Sequence, residues 1–190
     1  MPAAPRITLA ASVLAAATVA LGGCGASAEE KAKAEPVREG LAIPIGGIEY
    51  NVFLTRELNL ADPEDRDYYD GPGSPPGAAY YGVFVEACNE GEEPSQAARD
   101  IKVVDTQGNE FRPLALKPDN IFAYRPSALG PGQCIPDPVS IPAGAPTGGA
   151  LLLFLLPQSA GENRPLELEI VPPSPPLEGE LRVLRFELDI

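Results

Sequence analysis

The chain has 190 residues, 44% of them hydrophobic, which is enough for one ordinary domain with a real core plus a leader and tether. Its 23 prolines and 19 glycines oppose long helices and favour short strands joined by turns. A formal net charge of −13 repels phosphate backbones and anionic headgroups, which argues against nucleic acid as a partner. No histidine is present, so Ser-His-Asp and Cys-His catalysis and His-based zinc sites are excluded. The expectation is a protein that is not an enzyme, with no catalytic residues, no cofactor and no metal.

Met1 to Arg6 carries one cationic side chain, and Ile7 to Leu21 is apolar and Ala-rich. That run is shorter than the roughly 20 residues of a spanning helix and suits a signal peptide. It ends in Leu21-Gly22-Gly23-Cys24, which resembles the bacterial lipobox: small residues precede a cysteine whose thiol takes a diacylglyceryl group. Residues 1–23 are therefore expected to be a lipoprotein signal peptide. Cys24 is the expected lipidation site, holding the protein to the cell membrane on its extracytoplasmic side. The competing reading is an ordinary secretory signal cut after Ala26-Ser27-Ala28. Two acyl chains would anchor stably, where one would be marginal. From Gly25 to Gly40 the chain is small and charged and cannot bury enough to offset its ordering entropy. Residues 24–45 are read as lipidated cysteine and flexible tether.

Three cysteines make an odd count in an exported chain. Acylation of Cys24 restores parity and leaves Cys88 and Cys134 to form a disulfide in an oxidising compartment. A redox-active pair or two buried thiols are the rival readings, and no C-x-x-C spacing favours the former.

Residues 46–190 read as a β-sandwich domain. Gly46 to Leu58 alternates at Ile48, Tyr50, Val52 and Leu54, with Phe53 as the apolar exception, and predicts a strand. Ala79 to Asn89 is a more apolar strand, expected to be central, and Asp100 to Thr106 is a third. Gln107-Gly108-Asn109 turns into Glu110 to Arg112; Asn120 to Tyr124 is a short strand candidate. Leu129-Gly130-Pro131-Gly132 turns into Gln133 to Ile135. Gly149 to Pro157 is apolar on both faces, as expected at the centre of a sandwich. Pro165 to Val171 and Leu184 to Ile190 alternate cleanly. About eight strands at turn-bounded intervals, with no convincing helix, predict an all-β antiparallel sandwich.

The order of several segments carries a resemblance. These are Val83-Phe84-Val85-Glu86-Ala87-Cys88-Asn89-Glu90-Gly91, then Val104-Asp105-x-x-Gly108-x-x-Phe111, then Leu129-x-Pro131-Gly132. Gly149-Ala150-Leu151-Leu152-Leu153-Phe154 follows, with Pro157 closing the strand. Together they resemble a family of bacterial lipoprotein domains of unknown function, whose immunoglobulin-like sandwich is similar to that of secreted immunoprotective antigens. The resemblance spans roughly Gly46 to Ile170, and the Asp62 to Ala78 loop and both domain cysteines depart from it. It implies an extracytoplasmic sandwich with no established catalytic residues.

The Asp62 to Ala78 loop, DPEDRDYYDGPGSPPGA, is the candidate partner-binding segment. Asp65, Asp67, Tyr68, Tyr69 and Asp70 combine charge with tyrosines that offer large contact area and a polar handle. The plainer reading is a solvated loop whose tyrosines pack locally. Asp62, Glu64, Asp65, Asp67 and Asp70 could supply oxygen ligands to calcium. An EF-hand counted from Asp65 would put Tyr69 at the third ligand position and Asp70 where glycine is required, so no metal is assigned. Arg125-Pro126 and Arg164-Pro165 read as turns, with ion pairing to the acidic loop as the alternative. Two functions lead: a tethered module binding an envelope or extracellular protein, or a structural envelope lipoprotein. A carboxylate-dependent hydrolase is third; it would need two close carboxylates in a cleft.

Overall fold

The computed structural model describes residues 35–174 and 181–190. The expected signal peptide, Cys24 and the first part of the tether lie outside them. Among the described residues, no helix is long and apolar enough to cross a membrane.

In chain order the strands are β1 (Val37–Arg38), β2 (Ile43–Ile45), β3 (Ile48–Leu58), β4 (Ala78–Cys88), β5 (Ser95–Gln96) and β6 (Asp100–Val104). They continue with β7 (Glu110–Phe111), β8 (Ala128–Leu129), β9 (Cys134–Ile135), β10 (Ala150–Pro157), β11 (Leu166–Val171) and β12 (Leu184–Leu188). Three short helices, α1 (Pro63–Tyr68), α2 (Ile141–Gly144) and α3 (Gln158–Glu162), punctuate the connections. One sheet runs β1-β12-β11-β6-β7; the facing sheet runs β10-β4-β3-β2, with β9 continuing along the β10 edge of β4. The fold is an all-β sandwich; among the described residues the paired strands are antiparallel except that β1 joins β12 in parallel.

The folded domain starts before residue 46. Val37 is buried beside Phe186, and Ile43 and Ile45 bury their side chains as β2 pairs with β3. The expected tether therefore ends earlier than residue 45. A lone valine and an Ile-Pro-Ile triplet are too short for period-2 patterning to reveal, yet each completes a sheet edge.

The first sheet alternates as the sequence indicates. Leu166, Leu168 and Ile170 of β11 and Leu184, Phe186 and Leu188 of β12 are buried in the central core. Lys102, Glu169, Arg185 and their neighbours take the solvent face. The second sheet is apolar on both faces. Tyr50, Val52, Val83, Val85, Leu152 and Phe154 enter the core, whereas Leu58, Tyr80, Phe84, Leu151 and Leu153 form a separate cluster on the outer face.

A β-bulge creates part of that second cluster. The β3–β4 register jumps from Val52↔Val85 to Leu54↔Phe84, leaving Phe53 unpaired. An extra residue in one strand reverses which face the following side chains take. Leu54 therefore packs against the outer cluster, not beside Ile48, Tyr50 and Val52 as its spacing suggests.

Two strand expectations are corrected. Strand β10 lies at the edge of its sheet, not at the centre of the sandwich. It is apolar on both faces because Leu152 and Phe154 enter the core while Leu151 and Leu153 join the outer cluster with Tyr68 and Phe84. The 113–125 segment covers its free edge. Leu114 N donates to Leu153 O, Tyr124 N donates to Leu151 O, and Leu151 N donates to Phe122 O. This cover blunts an otherwise open edge. Residues 120–124 form a turn, with Ala123 bridged to Leu151, because the Asn120 side chain accepts from Phe122 N and Ala123 N and pulls the backbone out of extension.

Candidate functional site

The segment expected to present a partner-binding loop is instead the cap of the outer sheet face. Asp62 accepts from Glu64 N as the N-cap of α1, and Pro63 occupies the first turn, where its missing donor is harmless. The helix turns Asp65 and Tyr68 inward. Asp65 is 4% exposed; its carboxylate accepts from the Arg56 guanidinium and from Asn59 N at 2.7 Å. Tyr68 is 6% exposed and meets Phe84 and Phe122 edge-on, with ring centroids 5.0 and 4.8 Å away. Its hydroxyl lies 3.2 Å from Thr147 Oγ1. Burial withdraws both residues from any partner surface. Their role is to close the face over Phe84, Leu151 and Leu153.

The other three expected residues lie at or near the surface. Tyr69 packs edge-on against Tyr80, and its hydroxyl is held above the usual phenol range by desolvation first, then by Tyr80. Asp70 is exposed and pairs with Lys117 Nζ at 2.6 Å, which lowers its pKa and raises that of the lysine. Asp67 is exposed. The acidic side chains of the loop are thus partly spoken for: Asp62 caps, Asp65 pairs with Arg56 and Asp70 with Lys117. Arg125 donates to the Lys117 carbonyl, and among the described residues it forms no ion pair with the loop. The Arg164–Pro165 bond is cis.

Asn120 ties the loop to the 113–125 segment by donating to Tyr68 O at 2.8 Å. Together these segments line a groove of about 520 Å³ that carries three acids, Asp67, Asp70 and Asp119, and two cations, Arg66 and Lys117. Ile121 and Ile141 form its apolar rim and are 58% and 69% exposed; Val139, two residues before Ile141, is 94% exposed. Sequence reasoning missed Lys117, Asp119, Ile121, Val139 and Ile141. The available signal was a short apolar pair hemmed in by prolines, as in Pro138-Val139-Ser140-Ile141-Pro142, too short to form a strand that would bury it. Lys117 keeps Asp70 ionised, which suits charge recognition and opposes a general-acid role, since a general acid needs a raised pKa.

The expected disulfide is present. Cys88 and Cys134 are bonded between β4 and β9, with Cα atoms 4.1 Å apart. Glu86 lies close enough to both sulfurs to complete a three-ligand cluster, but the S–S bond removes the thiolates a metal would need. Burial raises the Glu86 carboxyl above its ordinary range, reinforced by Glu49 and Glu90.

These features define an all-β sandwich with one solvated sheet face and one face capped by loops. By sequence, the chain matches no protein-family model and no curated protein. By structure, it is similar to the yjhA protein of Bacillus subtilis at 11% identity and a TM-score of 0.54, covering 80% of this chain and 99% of that one. It is also similar to ycdA, a candidate lipoprotein of Bacillus subtilis, at 10% identity and a TM-score of 0.51. That match covers 78% of this chain but 38% of ycdA, so the sandwich is one part of the longer protein. At such identities the likeness is one of fold.

Proposed function

We propose that the chain is an envelope lipoprotein, anchored through Cys24, that presents its sandwich outside the membrane as a binding module and not as an enzyme. The lipobox-like Leu21-Gly22-Gly23-Cys24 and the fold shared with a candidate lipoprotein support the anchoring. The immunoglobulin-like, immunoprotective-antigen-like resemblance of the sequence belongs to the same reading. Absence of histidine supports binding over catalysis.

One observation carries the binding role: solvent-exposed Ile121 and Ile141 rim a groove walled by Asp67, Asp70 and Asp119. Asp70 is paired with Lys117, while Asp67 and Asp119 have no ion-pair partner among the described residues; exposed apolar side chains grouped beside such charge are the composition of a recognition surface. The partner that fits is an envelope or extracellular protein offering an apolar knob flanked by lysine or arginine.

In-cell cross-linking of the anchored protein followed by mass spectrometry tests this, with a tether-only chain as control. Deleting the whole Asp62 to Ala78 loop would uncover Phe84, so the informative variants are Ile121→Ser with Ile141→Ser, and Asp67→Asn with Asp119→Asn. The expected result is a reproducible partner lost in both variants while thermal unfolding stays unchanged. Cross-links identical to the control would overturn the binding role and leave a structural envelope lipoprotein.

A further inference from the structure

A second cavity, of about 170 Å³, is lined by Ile101 of β6, by Leu151, Leu152 and Leu153 of β10 and by both ends of the 113–125 segment. Leu114, Leu116, Leu152 and Tyr124 line it together with Arg99 and Arg125. Leu114 is 37% exposed there, leaving apolar surface facing the opening. We propose that this cavity binds a small monocarboxylate, its apolar body inside and its carboxylate held by Arg99 and Arg125.

Charge complementarity identifies the occupant. In a chain of net charge −13, Arg56, Lys102, Arg112 and Lys117 each pair with a carboxylate. Among the described residues seven arginines, Arg38, Arg66, Arg99, Arg125, Arg164, Arg182 and Arg185, have no carboxylate partner, and of these Arg99 and Arg125 line the cavity. Arg125 donates to the Lys117 carbonyl, which pins its side chain while leaving its positive charge uncompensated. Guanidinium matches a carboxylate bidentately, so two arginines lining a cavity of mixed polar and leucine-rich surface favour an anion with a hydrophobic tail. Size narrows the class. An apolar cavity of about 150 Å³ accommodates benzene, so this one takes a single ring or a short branched chain. Long-chain lipids are too large to be enclosed. The rigid rear wall comes from Tyr124, whose hydroxyl donates to Ala98 O at 3.0 Å, fixing the residue before Arg99.

The test is a ligand titration of the full chain followed by NMR, using benzoate and its neutral isostere benzamide, with methyl shifts of Leu114, Leu116 and Leu152 as the reporter. Benzoate should saturate these shifts, with benzamide at least about tenfold weaker. Arg99→Gln should weaken benzoate by about tenfold and leave benzamide binding and the thermal midpoint unchanged. Among the described residues the Arg99 side chain forms no hydrogen bond or ion pair, so that variant separates recognition from folding; Arg125→Gln, which also loses the Lys117 contact, is the second variant. Equal affinity for benzoate and benzamide, indifference to Arg99→Gln, or no saturable shift with benzoate would each overturn the proposal.

Discussion

Arg56, on β3, reaches across the outer sheet face to the buried carboxylate of Asp65 on α1, and its guanidinium also lies 5.6 Å from the centre of the Tyr68 ring. One side chain thus holds both inward-facing residues of the capping helix. The guanidinium is partly exposed while Asp65 is buried, so the pair is asymmetric: losing the cation strands an anion inside the protein.

Arg56→Ala is therefore expected to destabilise the domain by about 1–3 kcal/mol, below the full value for a buried pair because solvent reaches the arginine. Urea unfolding measures it. A change within error of zero would mean that Asn59 N alone satisfies Asp65.

Removing the floor of the same cap should be more damaging. Phe84 is fully buried and contacts Tyr68 edge-on. Phe84→Ala is expected to lower stability by about 3–5 kcal/mol, and Tyr68→Phe, which loses the Thr147 contact, by about 0.5–1.5 kcal/mol. Chemical denaturation of both variants ranks them; a reversed order would show that the cap is not packed on Phe84.

The Cys88–Cys134 bond closes a loop with a sequence separation of 46. The chain-entropy relation gives about 4 kcal/mol for a loop of that length. Replacing both cysteines by serine should lower the free energy of unfolding by roughly that amount, as read from urea curves under oxidising conditions.

Glu86 governs an acid-side pH dependence. Its folded pKa is raised from 4.5, so the native state holds the proton more tightly than the unfolded chain. That contribution is complete below the unfolded pKa and disappears as pH rises through the folded value. Glu86→Gln should therefore gain stability relative to the parent as pH increases from about 4.5 toward neutrality. Thermal midpoints across that range provide the check, and a constant difference would rule out the titration.

Cys24→Ser should release the protein from the membrane fraction and abolish incorporation of labelled fatty acid. Retention of label would place the acyl group elsewhere.

Much of the sandwich was legible from local pattern. Strands β3, β11 and β12 announce themselves because a strand side chain alternates with its own neighbours, a relation written at i and i+2, and β4 and β10 as short apolar runs bounded by turn residues. The Cys88–Cys134 pairing followed from parity. Of the candidate loop, the residue types were visible but not their directions. Asp65 and Tyr68 look as surface-ready in sequence as Asp67 and Asp70, and only the turn of α1 separates them.

By itself, then, the sequence settles what each strand can bury, because burial preference is carried by the side chain and its alternation. It does not settle which face is buried where the register shifts. Phe53 sits in a bulge, and that displacement sends Leu54 outward to meet a helix formed by residues 63–68. Nor does it show that β10 is an edge strand hidden by residues 113–125, or that Arg99 and Arg125 converge on one cavity. Those facts depend on contacts between residues far apart in the chain, and such contacts exist only once the two sheets have closed on each other.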